Sequence, residues 1–317
     1  MNDMKNMTEG RPETLEAELS PPIDIGGIAD EKDEEKVNAL AFELYKEALS
    51  VVSLAAHILD EGESIKGGWP RNQAICAGLM VRITKFMLVV VQLSAKGNRL
   101  EVVAALDRSI MESAVNLEFL VRKNDDKFFD QFVKFSLGPE RELYDLIKAN
   151  IEARKGEVWP IELRMLESID DVCRISGVKI EDAERKYGDW GGGVRERLKA
   201  LNKEEQYVSM QRIPSHAVHG TWVDLYKNHL THDTKTDLFA PDNNFSWVDA
   251  RALGPTAVLV LDAVKPYIER YFTDVLESKV ISDRVVDLQK RILTVDAAHE
   301  ELLSKRKKRI QLLPDGD

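Results

Sequence analysis

From Arg99 to Arg122 the chain carries apolar residues on two sides of a helix at once. Val103, Leu106, Ile110, Ala114, Leu117 and Val121 recur at three- and four-residue intervals and form one stripe. Arg108, Glu112, Val115 and Phe119 form a second stripe on another side at the same spacing. A helix that is apolar on both sides must be covered on both sides, so this segment is expected at the centre of a helical bundle. The placement makes Arg108 and Glu112, one turn apart, either a partly buried ion pair or an ordinary solvated one.

The same periodicity organises the rest of the chain. Val37, Leu40, Ala41, Leu44, Ala48, Leu49, Val52, Ala55 and Ala56 predict a helix starting near Glu34. A second follows from about Asn72 to Ser94. Shorter helices are expected at about Asp125–Phe135, Pro139–Arg154, Pro160–Ser176, Ile180–Lys186 and Val194–Leu201. A long helix from about Trp247 to Lys279, capped by Ser246 and kinked at Gly254-Pro255 and Pro266, precedes an amphipathic one at about Ser282–Lys308. No segment alternates convincingly, and Asp233–Asn244 reads as a polar loop. The expected class is all-α, a multi-helix bundle. Residues 1–33, acidic and broken by Pro-Pro and Gly-Gly, read as a disordered leader. Residues 34–279 read as the bundle domain, and 280–317 as a C-terminal amphipathic helix with a basic end at Lys305-Arg306-Lys307-Lys308-Arg309, a solvated helix end.

Composition narrows the function classes. A net charge of -11 argues against general binding to long nucleic acid, while leaving room for a local basic cleft. Cys76 and Cys173 lie far apart in helical pattern and read as reduced, buried thiols of a cytoplasmic protein. The polar N-terminus lacks the apolar stretch of a signal peptide. The most apolar run, Ala74 to Ala95, is interrupted by Arg82 and Lys85, so a buried helix is expected there and no membrane span.

Chemistry concentrates in Gln211-Arg212-Ile213-Pro214-Ser215-His216-Ala217-Val218-His219-Gly220. Four of the six histidines fall between His216 and His232, and imidazole is the side chain that titrates unperturbed near neutral pH. Three readings are open. In the first, the segment cleaves RNA without a metal. His219 is then the general base or acid and Arg212 the phosphate clamp, with Ser215 and His216 in support. Offsets of four and seven residues would bring Ser215 and Arg212 to the face of His219 if the helix were continuous. In the second, the two His-x2-His pairs, His216/His219 and His229/His232, hold a metal with Asp224 or Asp233 nearby. In the third, the histidines are structural, packed against carboxylates or carbonyls, or placed at helix ends. No cofactor and no metal is expected on balance.

The order of several landmarks resembles a bacterial helical family of unassigned function. The landmarks are a glycine turn at Ala95-Lys96-Gly97-Asn98, an Arg-x3-Glu helix at Arg108 and Glu112, and a Trp-Gly turn at Trp190-Gly191-Gly192-Gly193. Tyr207 and a Ser-x3-His-Gly helix from Ser215 to Gly220 follow. The resemblance spans roughly residues 35–275 and implies an all-α bundle without an established reaction. The Arg212-x6-His219 spacing is also similar to the motif of HEPN ribonucleases, helical proteins of defence systems that usually act as homodimers. That likeness implies RNA as a partner, Arg212 and His219 as a catalytic pair, and Arg108 and Glu112 as supporting polar groups.

Overall fold

The computed structural model describes residues 19–57, 69–95, 99–183, 190–248, 250–272 and 276–311. Five helices form the body: α1 (Glu34–His57), α2 (Arg71–Ser94), α3 (Leu100–Lys123), α10 (Ala250–Tyr271) and α11 (Leu276–Gln311). Helix α3 packs on α2 and α10, α1 packs on α2, α10 and α11, and α10 also packs on α11. Both stripes read from the α3 sequence are used. Val103, Ile110, Ala114 and Leu117 are buried, and so are Val115 and Phe119.

Between α3 and α10 the chain builds a second layer. It runs through α4 (Asp126–Ser136), α5 (Gly138–Ala153), α6 (Pro160–Ser176) and α7 (Val194–Ala200). A π-type turn at Val208–Arg212, the single-turn α8 (Ser215–His219) and α9 (Trp222–Asn228) follow. Asp125 caps α4 through a hydrogen bond from the Lys127 amide, 2.9 Å. The segment predicted as a helix at Ile180–Lys186 is a short 3-10 turn at Ile180–Asp182, and residues 184–189 lie outside the described residues.

The expected polar loop at 233–244 is instead part of an antiparallel hairpin, β1 (Leu230–Asp233) and β2 (Leu238–Pro241), with His232 opposite Phe239. Ser246 does not cap the helix that follows it. Its carbonyl accepts from the Arg99 and Leu100 amides at the start of α3, and its amide donates to Glu101. The α10 amide of Ala250 donates to Asn38 of α1, 3.0 Å.

Part of the N-terminal segment also differs from the reading by composition. Residues 1–18 are outside the described residues, but 19–33 pack on the body. Leu19 and Ile28 are buried, Ile28–Asp30 forms a 3-10 turn, and the Ile23 amide donates to Glu47 at 3.2 Å. A few apolar anchors, too sparse for a periodic signal, suffice. Helix α11 buries Ile281, Val285, Leu288 and Val295 against α1 and α10, as one face of an amphipathic helix does. At its basic end Lys305 pairs with Glu301 and Arg306 with Glu34, while the side chains of residues 307–309 lie outside the described residues.

Two glycines permit close approaches. Gly191 has a φ of 61°, and a Cβ there would fall 2.7 Å from the Phe119 ring. Gly254, just before Pro255 in α10, lets the Asp296 carboxylate of α11 rest against the helix backbone, where a Cβ would lie 2.3 Å from Oδ1. Burial, with the nearby Glu300 charge, pushes Asp296 up to about 6.

Helix α2 is long and apolar enough by length and composition to cross a membrane. Here it buries Cys76, Met80, Ile83, Met87 and Val90 against its neighbours. Its Arg82 donates to Ser113 of α3 at 3.1 Å and stacks over Phe86.

Candidate functional site

The segment that carried most of the chemistry in the sequence is split by its own backbone. Residues 208–212 form a turn closed by the Ile213 amide donating to the Val208 carbonyl, an i to i−5 bond. Pro214 has no amide hydrogen to continue the ladder, and α8 starts at Ser215. The seven-residue offset between Arg212 and His219 is therefore not two turns of one α-helix. Gly220, at φ 56°, ends α8 one turn later in the left-handed conformation.

Arg108 and Ser215 are brought together. Arg108 Nε donates to Ser215 Oγ at 3.0 Å, and Ser215 Oγ donates in turn to the Gln211 carbonyl at 2.5 Å. This relay ties α8 and the π-type turn to the central helix. Glu112 is a loose member of the group: its Oε2 lies 4.0 Å from Arg108 Nη1, and both side chains are half-buried. Its charge instead helps Arg197, which burial pulls down to about 10 and which Glu112 and Glu196 hold up.

His216 and His219 part company. His216 Nδ1 lies 2.6 Å from Thr221 Oγ1, a local bond that closes the α8–α9 corner. His219 is exposed and does not meet Arg108 or Glu112. Among the described residues neither His219 nor Arg212, which is also exposed, has a hydrogen-bond or ion-pair partner. The two His-x2-His pairs do not converge. His229 faces the buried Asp224 at 3.4 Å, and His232 pairs with Asp237 across the hairpin at 2.8 Å. No group of three or more metal-ligating side chains comes together among the described residues.

Polar groups that the sequence did not single out, among them the buried Arg197 and Glu118, complete this side of the fold. Arg197 donates to the Trp190 and Gly192 carbonyls, at 3.2 and 2.8 Å, and lies over the Trp190 ring. Trp190 packs edge-on against Phe119 and Phe132. Lys203 donates to Glu118 at 2.6 Å and to Asp262 at 2.8 Å, joining the chain before the π-type turn to both α3 and α10. A lysine and two acids spread over three elements leave no local signal in a sequence.

Beyond α8 lies an exposed aromatic cluster. Trp222 stacks on Tyr226 at 6.2 Å, both meet Phe239 edge-on, and Phe239 stacks on His232 at 4.5 Å. Trp222, Tyr226, Phe239 and nearby Ile213 and Val218 all remain exposed.

Residues 73–237 match the model of a family of unknown function, DUF5677. The chain belongs to that family. The DUF5677 region runs from the start of α2 through α3 and the second layer to the hairpin turn, so it holds the Arg108–Ser215 relay, the Trp190 turn and, of the aromatic cluster, Trp222, Tyr226 and His232, while Phe239 lies just beyond it. It is narrower than the span of roughly 35–275 read from the landmarks, since α1 and α10 fall outside it. No curated protein and no solved structure matches the chain.

The relay predicts a contrast in stability. Ser215→Ala should lower the unfolding free energy by about 1 kcal/mol or somewhat more, because Arg108 loses its acceptor in a half-buried place. His219→Ala should change it by no more than about 0.5 kcal/mol, as expected for an exposed side chain without partners. Urea unfolding of both variants checks this, and an equal loss in the two would contradict the relay.

Proposed function

We propose that this DUF5677 protein is a non-catalytic helical docking module, with the Arg108–Ser215 relay as structure and the aromatic cluster as contact surface. The observation that carries the reading is the cluster itself. Trp222, Tyr226 and Phe239 are left exposed together on α9 and the hairpin, where aromatic side chains of this kind serve as interface anchors. The charge around them favours a protein partner with an apolar surface over a polyphosphate. Arg212, Lys227 and Lys235 are offset by Asp224, Asp233, Asp237 and Asp242 within residues 207–247. The protein works in the cytoplasm on this reading, since α2 carries Arg82 and Lys85 near its middle and covers one side with the bundle.

The test is a photoreactive phenylalanine analogue at position 239 of the full chain. It should cross-link in cells to a protein that, once purified, binds the wild type and binds Trp222→Ala about tenfold or more weakly.

A specific observation supports a second reading, a HEPN-like ribonuclease of a defence or stress response. Arg212 and His219 are exposed and, among the described residues, have no intramolecular partner, which leaves them free to act as a phosphate clamp and a proton-transfer group. On this reading His219 takes the 2′-hydroxyl proton or protonates the leaving oxygen, and Arg212 stabilises the phosphate charge. Ser215 and His216 hold the helix end that carries His219. RNA cleavage by the purified protein, abolished in His219→Ala at unchanged melting temperature, together with no cross-link at position 239, would overturn the docking reading in its favour.

A further inference from the structure

Helix α6 carries a second exposed apolar surface. Ile161, Met165, Ser168, Val172 and Ile175 follow one another at intervals of four, three, four and three residues. This is the spacing of a coiled-coil seam. The four apolar members are 45%, 37%, 41% and 73% exposed, and Ser168 is exposed at the centre. The inward face of the same helix is already occupied by the neighbouring positions Glu162, Ile169 and Cys173, which are buried.

Helix α5 extends the surface. It runs antiparallel to α6: Arg154 at its end holds Glu162 at the start of α6 at 2.5 Å, while Tyr144, earlier in α5, packs on the apolar cluster that contains Ile169 and Cys173 of α6. In such a hairpin, residues one position before the inward ones fall on the same side of both helices. On α5 these are Leu143 and Leu146, preceding Tyr144 and the buried Ile147, and both are exposed.

We propose that this face binds a second copy of the chain, with the two α6 helices antiparallel about a two-fold axis through Ser168. The charges flanking the seam select this occupant and this direction. Arg164 and Asp171 are both exposed and sit at equivalent flanking positions on either side of Ser168. The antiparallel pairing sets Ile161 opposite Ile175 and Met165 opposite Val172. It also sets Arg164 of each copy beside Asp171 of the other, so one symmetric contact makes the attraction twice. A parallel pairing would align the helix dipoles and give neither arginine an acidic partner. Asp171 already bonds Arg174 at 3.0 Å, but both side chains are largely exposed and free to exchange partners. Serine at the crossing lets the helices approach closely.

The size of the face sets the strength. A helix of this length spans about 25 Å, and two helices side by side about 20 Å. That is smaller than the roughly 800 Å² per partner of a standard interface, so a dissociation constant on the order of micromolar is expected.

Sedimentation equilibrium of the full chain tests this. The wild type should be dimeric at tens of micromolar, and Ile175→Glu monomeric at an unchanged melting temperature. Arg164→Asp should weaken the dimer about tenfold, and adding Asp171→Arg to it should restore the wild-type constant. Ser168→Cys should form a disulfide with its own counterpart under mild oxidation. Trp222→Asp, in the aromatic cluster, should leave the dimer unchanged, so the outcome is independent of the docking reading. A wild type that stays monomeric at these concentrations, or a dimer that survives Ile175→Glu, overturns the proposal.

Discussion

Replacing Glu47 with alanine should lower the unfolding free energy by about 3–5 kcal/mol, the cost of removing one partner from a buried ion pair. Glu47 is buried in α1, and its two carboxylate oxygens accept from Arg291 Nη1 and Nη2, each at 2.6 Å. Arg284 adds a third bond at 3.0 Å and the Ile23 amide a fourth at 3.2 Å. One carboxylate thus joins α1, α11 and the packed segment at residues 19–33. Burial alone would lower the Arg291 pKa, but its bonds to Glu47 and Asp287 outweigh burial and raise it. Without Glu47, Arg291 keeps Asp287 and the Ile23 carbonyl, yet remains a buried cation short of its main counter-charge. Glu47→Gln should lose less, since it retains an acceptor. Urea unfolding measures the loss, and limited proteolysis should find new cleavage between residues 19 and 33. A loss below about 1 kcal/mol would mean that apolar packing, not the charge cluster, holds this corner.

The helices that were legible in the sequence are those whose apolar positions repeat with the turn of the helix. Helices α2, α3 and α6 begin and end within a residue or two of where the spacing put them, and α1 starts at the expected Glu34. What periodicity could not supply was the fate of short or isolated anchors. Leu19, Ile23, Ile25 and Ile28 bind residues 19–33 to the body without any repeat. The hairpin escaped notice because Thr234-Lys235-Thr236-Asp237 lacks the Asn-Gly or Asp-Gly signature of a tight turn, and all of β2 is exposed. At the site, Arg108 and Ser215 were each visible as members of separate motifs, but a bond across more than a hundred residues has no local trace. The expectation that Arg212, Ser215 and His219 share a face assumed one continuous α-helix. The π-type turn and Pro214 remove that assumption. The Trp190 turn was visible as a landmark, and its role as the cover for Phe119 and the acceptor for Arg197 emerges only in three dimensions.

The second large effect is expected at Glu118, beneath the relay. Glu118 is 1% exposed on α3 and accepts from Lys203 at 2.6 Å and Arg122 at 2.8 Å. Glu118→Ala should cost about 3 kcal/mol, at the low end for a buried pair because Lys203 keeps Asp262 of α10. Arg122→Ala should cost less than about 1 kcal/mol, since the Arg122 side chain is 54% exposed. The difference between the two isolates the Lys203 side of the triad. Lys203 enters the turns that lead to Arg212 and Ser215, so its release should also loosen that segment. Hydrogen exchange over residues 204–219 should therefore speed up more in Glu118→Ala than in Arg122→Ala. If exchange there is unchanged while global stability falls, the triad fastens α3 to α10 only, and the position of α8 rests on the Arg108–Ser215 bond alone.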